Sequence, residues 1–163
     1  MPNGTLGVVN ALFGLGGTIQ NVLDRIRAEK ERTEGTIEGI MIEVELNMIL
    51  ILGHYLETGA KAERVIKQLR MKNLTNAINA GFNFRQIRGG KIKKNMVGDV
   101  GFLKSYVDYD CGAFLKNIRF HIEQLKLLPE LYDDIENVVG IDVKQRLTNL
   151  GKRYLLFTKF LIS

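Results

Sequence analysis

TIEGIMIEVELNMILILGHYLET, residues 36–58, decides the fold. Ile37, Met41, Val44, Met48, Ile51 and Tyr55 recur at alternating steps of four and three, which sets them along one seam of an α-helix. A second apolar line, Ile42, Leu46, Ile49 and Leu56, covers a neighbouring face, so the later half is apolar nearly all round and is expected to be enclosed by other helices. Glu38, Glu43 and Glu45 interrupt the stretch, and its uninterrupted apolar run, Met48–Leu52, is far shorter than a bilayer requires.

The same rhythm continues on both sides. Upstream, Val8, Leu12, Leu15, Ile19, Val22 and Ile26 predict a helix over residues 5–32. Its phase runs on through Lys30 and Thr33 to Ile37, which permits a single long rod. Gly35 as a left-handed terminator and Thr36 as a cap favour a break near Thr33–Thr36 and an antiparallel hairpin, with the charged run DRIRAEKERTE (24–34) at its solvated end. Downstream, Gly59 is expected to end the central helix. A third helix follows over 60–80, with a bend or a break near Met71–Asn73 because Asn73, Asn76 and Asn79 weaken its second half.

Residues 81–101 lack helical periodicity. Gly89-Gly90 suggests either a two-residue hairpin turn pairing Ile87 with Ile92 and Arg85 with Lys94, or a glycine-rich loop. A fourth helix is predicted over 102–128, and Pro129 suits the first turn of a short brace helix over 130–138. Gly140 closes that brace, and Asp142 caps a last helix whose Val143, Leu147, Leu150, Tyr154, Phe157 and Leu161 repeat the four-three rhythm. The expected fold is all-α: one domain, residues 1–163, built as a bundle of four main helices with a brace helix and one basic glycine-rich loop or small hairpin over about 81–101.

Composition narrows the function classes. A chain of 163 residues is long enough to bury a core without disulfides, and its single cysteine, Cys111, reads as a small buried apolar residue of a reducing compartment. The N-terminal apolar stretch has no basic residue before it and is broken by Gly7, Gly14, Gly16 and Gly17, unlike a signal peptide, so a cytoplasmic protein is expected. The net charge of +5 is unevenly spread: residues 1–60 carry 4 basic and 8 acidic side chains, residues 61–94 carry 10 and 1, and residues 95–163 carry 9 and 9.

That basic third holds the candidate site. Lys61, Arg64, Lys67 and Arg70 line the third helix; Phe82 and Phe84 precede Arg85, Arg88, Lys91, Lys93 and Lys94. Cations of this density attract a phosphate backbone or an acidic protein surface, and interleaved rings can stack on bases. Arg88-Gly-Gly-Lys91 lacks the spacing and following hydroxyl of a phosphate-binding P-loop.

Other chemistries are weaker. Glu43, Asn47, His54 and Glu57 form a polar stripe that, with His121 and Glu123, contains metal-ligand types. Neither histidine has the glutamate three residues before it that di-metal bundles use, so no metal or cofactor is assigned and polar contacts inside the bundle are the better use. Helical nucleotide-processing domains of the HEPN kind carry an Arg and a His about one turn apart on a helix. In Lys116-Asn-Ile-Arg-Phe-His121 the Arg119-to-His121 step is too short for a shared face, and no membership follows. The only serines are Ser105 and Ser163, outside any nucleophile motif, and Asp108 and Asp110 diverge on a helix.

The sequence therefore predicts no enzyme but an interaction module that presents the Lys61–Lys94 face to an acidic protein or to nucleic acid. Its repeated seams and the apolar run Leu155–Ile162 are consistent with homo-oligomers. A membrane-active domain acting through residues 1–20 is a rival reading, disfavoured because the polar face before Asp24 offers no cation to anionic lipid.

Overall fold

A computed structural model of the chain describes residues 17, 19–24 and 33–163. The described residues are all-α, with no strand and one isolated antiparallel bridge. Of the predicted first helix, residues 19–24 are described; they are helical and bury Ile19, Val22 and Leu23. The rest of that helix, the charged run and the proposed membrane-active segment lie outside the described residues, apart from those few positions.

α1 spans Glu34–Met48 and passes without interruption into a nine-residue π-helical stretch, Ile49–Glu57. Its start, with Thr33 in the capping position, falls within the expected Thr33–Thr36 break, but the roles expected of Gly35 and Thr36 differ. Gly35 and Thr36 lie inside the first turn rather than ending one helix and capping the next, because Ile37, Ile40 and Met41, fully buried, draw that turn into the core. Glu34 in the first turn complements the positive end of the helix dipole. At the other end Gly59, at φ +69°, closes the rod as predicted, with Ala60 N–H donating to the His54 carbonyl (3.0 Å).

Of the bend or break expected in the third helix, the structure has the break. α2 (Ala62–Gln68) and α3 (Lys72–Asn79) are joined at Leu69–Met71. α3 has Met71 in its capping position, which supplies no side-chain acceptor, and α1 provides one instead. The Glu43 carboxylate accepts from the N–H groups of Asn73 (2.6 Å) and Leu74 (3.0 Å). A carboxylate on the first turn of a helix satisfies orphan donors and the dipole together, worth about 1–2 kcal/mol. One turn along α1, Asn47 ties three elements: its amide nitrogen donates to the Arg70 carbonyl (2.7 Å) and the Tyr154 hydroxyl (2.8 Å), and its oxygen accepts from Arg70 N–H (2.8 Å). Both side chains are buried, so these contacts work without competition from water.

The basic segment forms no hairpin. Phe84–Gln86 is a single 3-10 turn and Lys94–Val97 a four-residue helix, α4. Ile92 bonds not with Ile87 but with a distant turn: its N–H donates to the Tyr109 carbonyl (2.9 Å) and its carbonyl accepts from Asp108 N–H (2.9 Å). Both main-chain groups of Ile92 are thus committed to that turn, and Ile87 N–H donates to the Phe84 carbonyl (3.0 Å), so the two residues do not pair as hairpin strands.

That distant turn also splits the predicted fourth helix. Gly101–Tyr106 is 3-10, Asp108 takes φ +72°, and α5 (Cys111–Leu131) begins where the Asp110 carboxylate accepts from Ala113 N–H (2.8 Å). Pro129 sits in the last turn of α5 rather than opening a brace helix, and a 3-10 turn, Ile135–Asn137, is all that follows. Only Ile135 of that segment is buried while Leu131 is 67 % exposed, so a longer brace would have no apolar face to bury. α6 (Val143–Ile162) agrees with the prediction, its Asp142 cap accepting from Gln145 N–H (2.8 Å).

α1 packs on α3 and α6, the π stretch on α2 and α6, and α5 on α2, α3 and α6. The buried apolar side chains form one continuous core. Its aromatic centre is Phe114, within 5.0 Å of Tyr106 and 6.2 Å of Phe157 between ring centroids.

Replacing Asn47 by Leu leaves the Arg70 amide and the Tyr154 hydroxyl without their buried partner. Denaturant unfolding of this variant is expected to show a loss of about 2–4 kcal/mol, and an unchanged midpoint would refute the role given to Asn47. At Gly151 a Cβ would stand 2.9 Å from Leu52 Cδ2 and 3.2 Å from Ile51 Cγ2. A Gly151→Val variant is therefore expected to cost about 1–3 kcal/mol by overpacking α6 against the π stretch, readable as a lower melting temperature.

Candidate functional site

The cations of residues 61–94 do not form one face. Lys67 offers its carbonyl to Lys126 Nζ (3.1 Å) near the C-terminal end of α5, whereas Phe84 lies against Gly112 at its N-terminal end, where an added Cβ would be 3.2 Å from the ring. At 1.5 Å of rise per residue, Gly112 and Lys126 are separated by roughly 21 Å. Between the two clusters the exposed residues of α3 are mostly neutral: Asn73, Asn76 and Asn79.

In the first cluster Lys61, Arg64, Lys67 and Arg70 are exposed, and Lys67 is paired with Glu63 (2.6 Å). In the second, Arg85, Lys91, Lys93 and Lys94 are exposed. Two of the expected contact residues face inward. Phe84 is buried at 6 %, edge-on to half-buried Phe82 (5.3 Å), because the 3-10 turn docks the ring on α5; it is not presented for stacking on a base. Arg88 caps the end of α6, its Nε donating to the Phe160 carbonyl (3.2 Å) and a terminal nitrogen bonding the main-chain oxygen of Ser163, with its guanidinium 5.9 Å from the Phe160 ring. A cation there satisfies carbonyls left open at a helix C-terminus, which the sequence does not disclose because the partners are more than seventy residues away.

The first cluster borders a groove. α1 contributes Ile42 and Leu46, the α2–α3 junction contributes Leu69, Arg70, Met71 and Lys72, and α5 contributes Lys126, around about 560 Å³. The second apolar line is only partly enclosed: Leu46 and Leu56 are half-buried, with Leu56 packed on the core. Ile42 is 45 % exposed and Ile49 36 %, because α2 and α3 pack beside this line rather than over it. Among the described residues none of Arg70, Lys72 and Lys126 has a carboxylate partner. Burial lowers the pKa of Lys126 from its ordinary value, an effect that Glu130 opposes.

The polar stripe is largely structural. Glu43 and Asn47 are consumed by the bonds to α3, Arg70 and Tyr154, whereas His54 is exposed. Among the described residues no three His, Cys, Asp or Glu side chains converge as metal ligands. Burial pushes the Cys111 thiol up to about 12, with the nearby Asp110 charge adding to the rise, so at neutral pH it is a protonated core group. Arg119 is paired along α5 with Glu123 (3.1 Å).

His121 stands apart from these. It is half-buried at the α5–α6 interface, and burial, reinforced by the charges of Arg153 and Arg146, lowers its pKa to about 4. The sequence drew attention to His121 but not to the arginines opposite. Their signal was spacing: Arg146, Asn149 and Arg153 share one side of α6 at steps of three and four.

Among the described residues no helix is long and apolar enough to cross a membrane. No protein-family model, curated protein or solved structure matches the chain.

His121 has consequences for acid stability. Its folded pKa lies below the ordinary 6.5, so between about pH 6.5 and 4 the unfolded chain binds the extra proton and stability declines as pH falls. Unfolding free energies measured across that window are expected to show a shallower slope in His121→Gln. An identical slope in both proteins would mean that the imidazole titrates normally in the fold.

Proposed function

We propose that this chain is a non-enzymatic interaction module whose groove between α1, the α2–α3 junction and α5 receives an acidic amphipathic helix from a partner protein. The observation that carries this reading is the coincidence of the apolar floor of Ile42, Leu46 and Met71 with three cations, Arg70, Lys72 and Lys126, that have no carboxylate partner among the described residues. An incoming helix would set its apolar side chains on Ile42, Leu46 and Met71 and its carboxylates on the rim. The rim supplies steering and orientation, and the apolar floor supplies most of the affinity.

Nucleic acid is the second reading, favoured by the exposed Arg85, Lys91, Lys93 and Lys94 at the far end of α5. Binding there would run through the phosphate backbone, without stacking on Phe84, and would weaken steeply with salt.

Fluorescence anisotropy distinguishes the two. A labelled helical peptide with leucines at heptad spacing and glutamates between them is expected to bind the intact protein with a dissociation constant in the micromolar range. Its lysine-for-glutamate counterpart is expected not to bind. Arg70→Glu combined with Lys72→Glu, or Ile42→Asp alone, should weaken the acidic peptide at least tenfold, the floor substitution being less sensitive to salt. Indifference to both sets of changes would reject the groove. Salt-sensitive binding of single-stranded RNA, abolished by Lys91→Glu with Lys93→Glu and Lys94→Glu, would transfer the function to the second cluster.

A further inference from the structure

A second concavity, of about 220 Å³, opens between α5 and α6 and is lined by His121, Gln124, Leu125, Arg146, Asn149 and Arg153. The two helices run antiparallel, with Phe114 near Phe157 at one end, and this brings His121 and Gln124 opposite Arg146, Asn149 and Arg153. Every polar side chain in the lining can donate a hydrogen bond, and no carboxylate is among them. The only acidic residue within a turn of His121 on α5 is Glu123, which is taken by Arg119.

Arg153 is the unusual member. It is 8 % exposed, and among the described residues it has no carboxylate partner. Its guanidinium is nevertheless held in place. Nε donates to the Tyr106 hydroxyl (2.6 Å), which in turn donates to Asn117 Oδ1 (2.8 Å), and the plane lies 4.9 Å from the Phe102 ring centroid and 5.6 Å from that of Tyr106. With Nε engaged, its remaining donors are the two terminal nitrogens. A buried cation without a counter-ion is unfavourable unless something supplies the missing charge. A guanidinium fixed by aromatic faces and one hydrogen bond is also preorganised for a tetrahedral oxyanion, which it can meet in a bidentate manner.

We propose that the cavity between α5 and α6 is a binding site for a phosphoryl group, with Arg153 and Arg146 as its charged ligands and His121, Asn149 and Gln124 as additional donors. The volume of about 220 Å³ has room for one phosphate, with the remainder of a phosphate monoester reaching toward the open mouth. His121 connects the site to protonation. In the free protein the imidazole is held neutral by burial and by the two guanidinium charges of α6, with no titratable carboxylate lining the cavity from α5. A bound dianion offsets those charges, so occupancy raises the imidazole pKa.

The test uses the full chain, with ligand binding followed by calorimetry and by the imidazole resonances of His121 at constant ionic strength. Inorganic phosphate and glycerol 3-phosphate are the two probes, and chloride is the control. Saturable one-to-one binding with a submillimolar dissociation constant is expected, together with an upward shift of the His121 titration. Arg146, exposed at the cavity mouth, is the safe position: Arg146→Gln should fold normally and bind at least tenfold more weakly. Arg153→Lys, which keeps the charge but loses the fork, should also weaken binding at least tenfold. Glycerol 3-phosphate binding as tightly as phosphate would identify an ester ligand, and its exclusion would identify free phosphate. No saturable heat and no movement of His121 with either probe, or equal affinity in wild type and both variants, would overturn the proposal.

Discussion

The arrangement of the helices depends on a few buried hydrogen bonds made by α1. An eight-residue helix such as α3 cannot stand alone, because nucleation outweighs its few internal bonds, and α3 lacks a capping side chain of its own. Glu43 supplies that cap from the neighbouring helix, and Asn47 fixes the junction that leads into α3 while also holding Tyr154 of α6. Apolar contacts alone would let α1 slide or rotate against its neighbours at small cost. Directional bonds to main-chain groups do not, since a shift of one residue would strand several polar atoms in the core.

Features decided by local chemistry were readable in the sequence. The seams of α1 and α6, the Asp142 cap, the Gly59 terminator and the interruption near Met71 each arise from residues close together in the chain, and each is present. Features decided by distant partners were not. Ile92 pairs with Asp108 and Tyr109 because α5 brings that turn alongside, so the local hairpin signal of Gly89-Gly90 lost to a tertiary contact. Pro129 suits a helix start, yet a proline in a final turn removes few internal bonds, and Tyr132 N–H still closes that end on the Leu128 carbonyl (2.9 Å).

The candidate site shows the same division. Charge counting located the cations, and most of them are on the surface. It could not show that α5 holds them apart, that Arg88 is spent on the end of α6, or that Phe84 belongs to the core. Nor could it bring His121 opposite Arg153. Those two residues lie in separate predicted helices, and only the antiparallel pairing sets them across one cavity.

The π stretch has a consequence for how the chain tolerates change. A π turn closes its hydrogen bonds one residue later than an α turn, so Ile49–Glu57 accommodates more chain in the same rise than the helix that feeds it. Such a segment is a reservoir of length. Loss of one residue within it can be absorbed by reverting to α geometry, whereas the same loss in α1 would turn Glu43 and Asn47 away from α3 and Tyr154. The rod thus has one half whose rotational phase is pinned by hydrogen bonds to main-chain groups and another held by the apolar packing of Ile51 and Leu52, and Tyr55 and the entry to α2 lie on the side without those bonds.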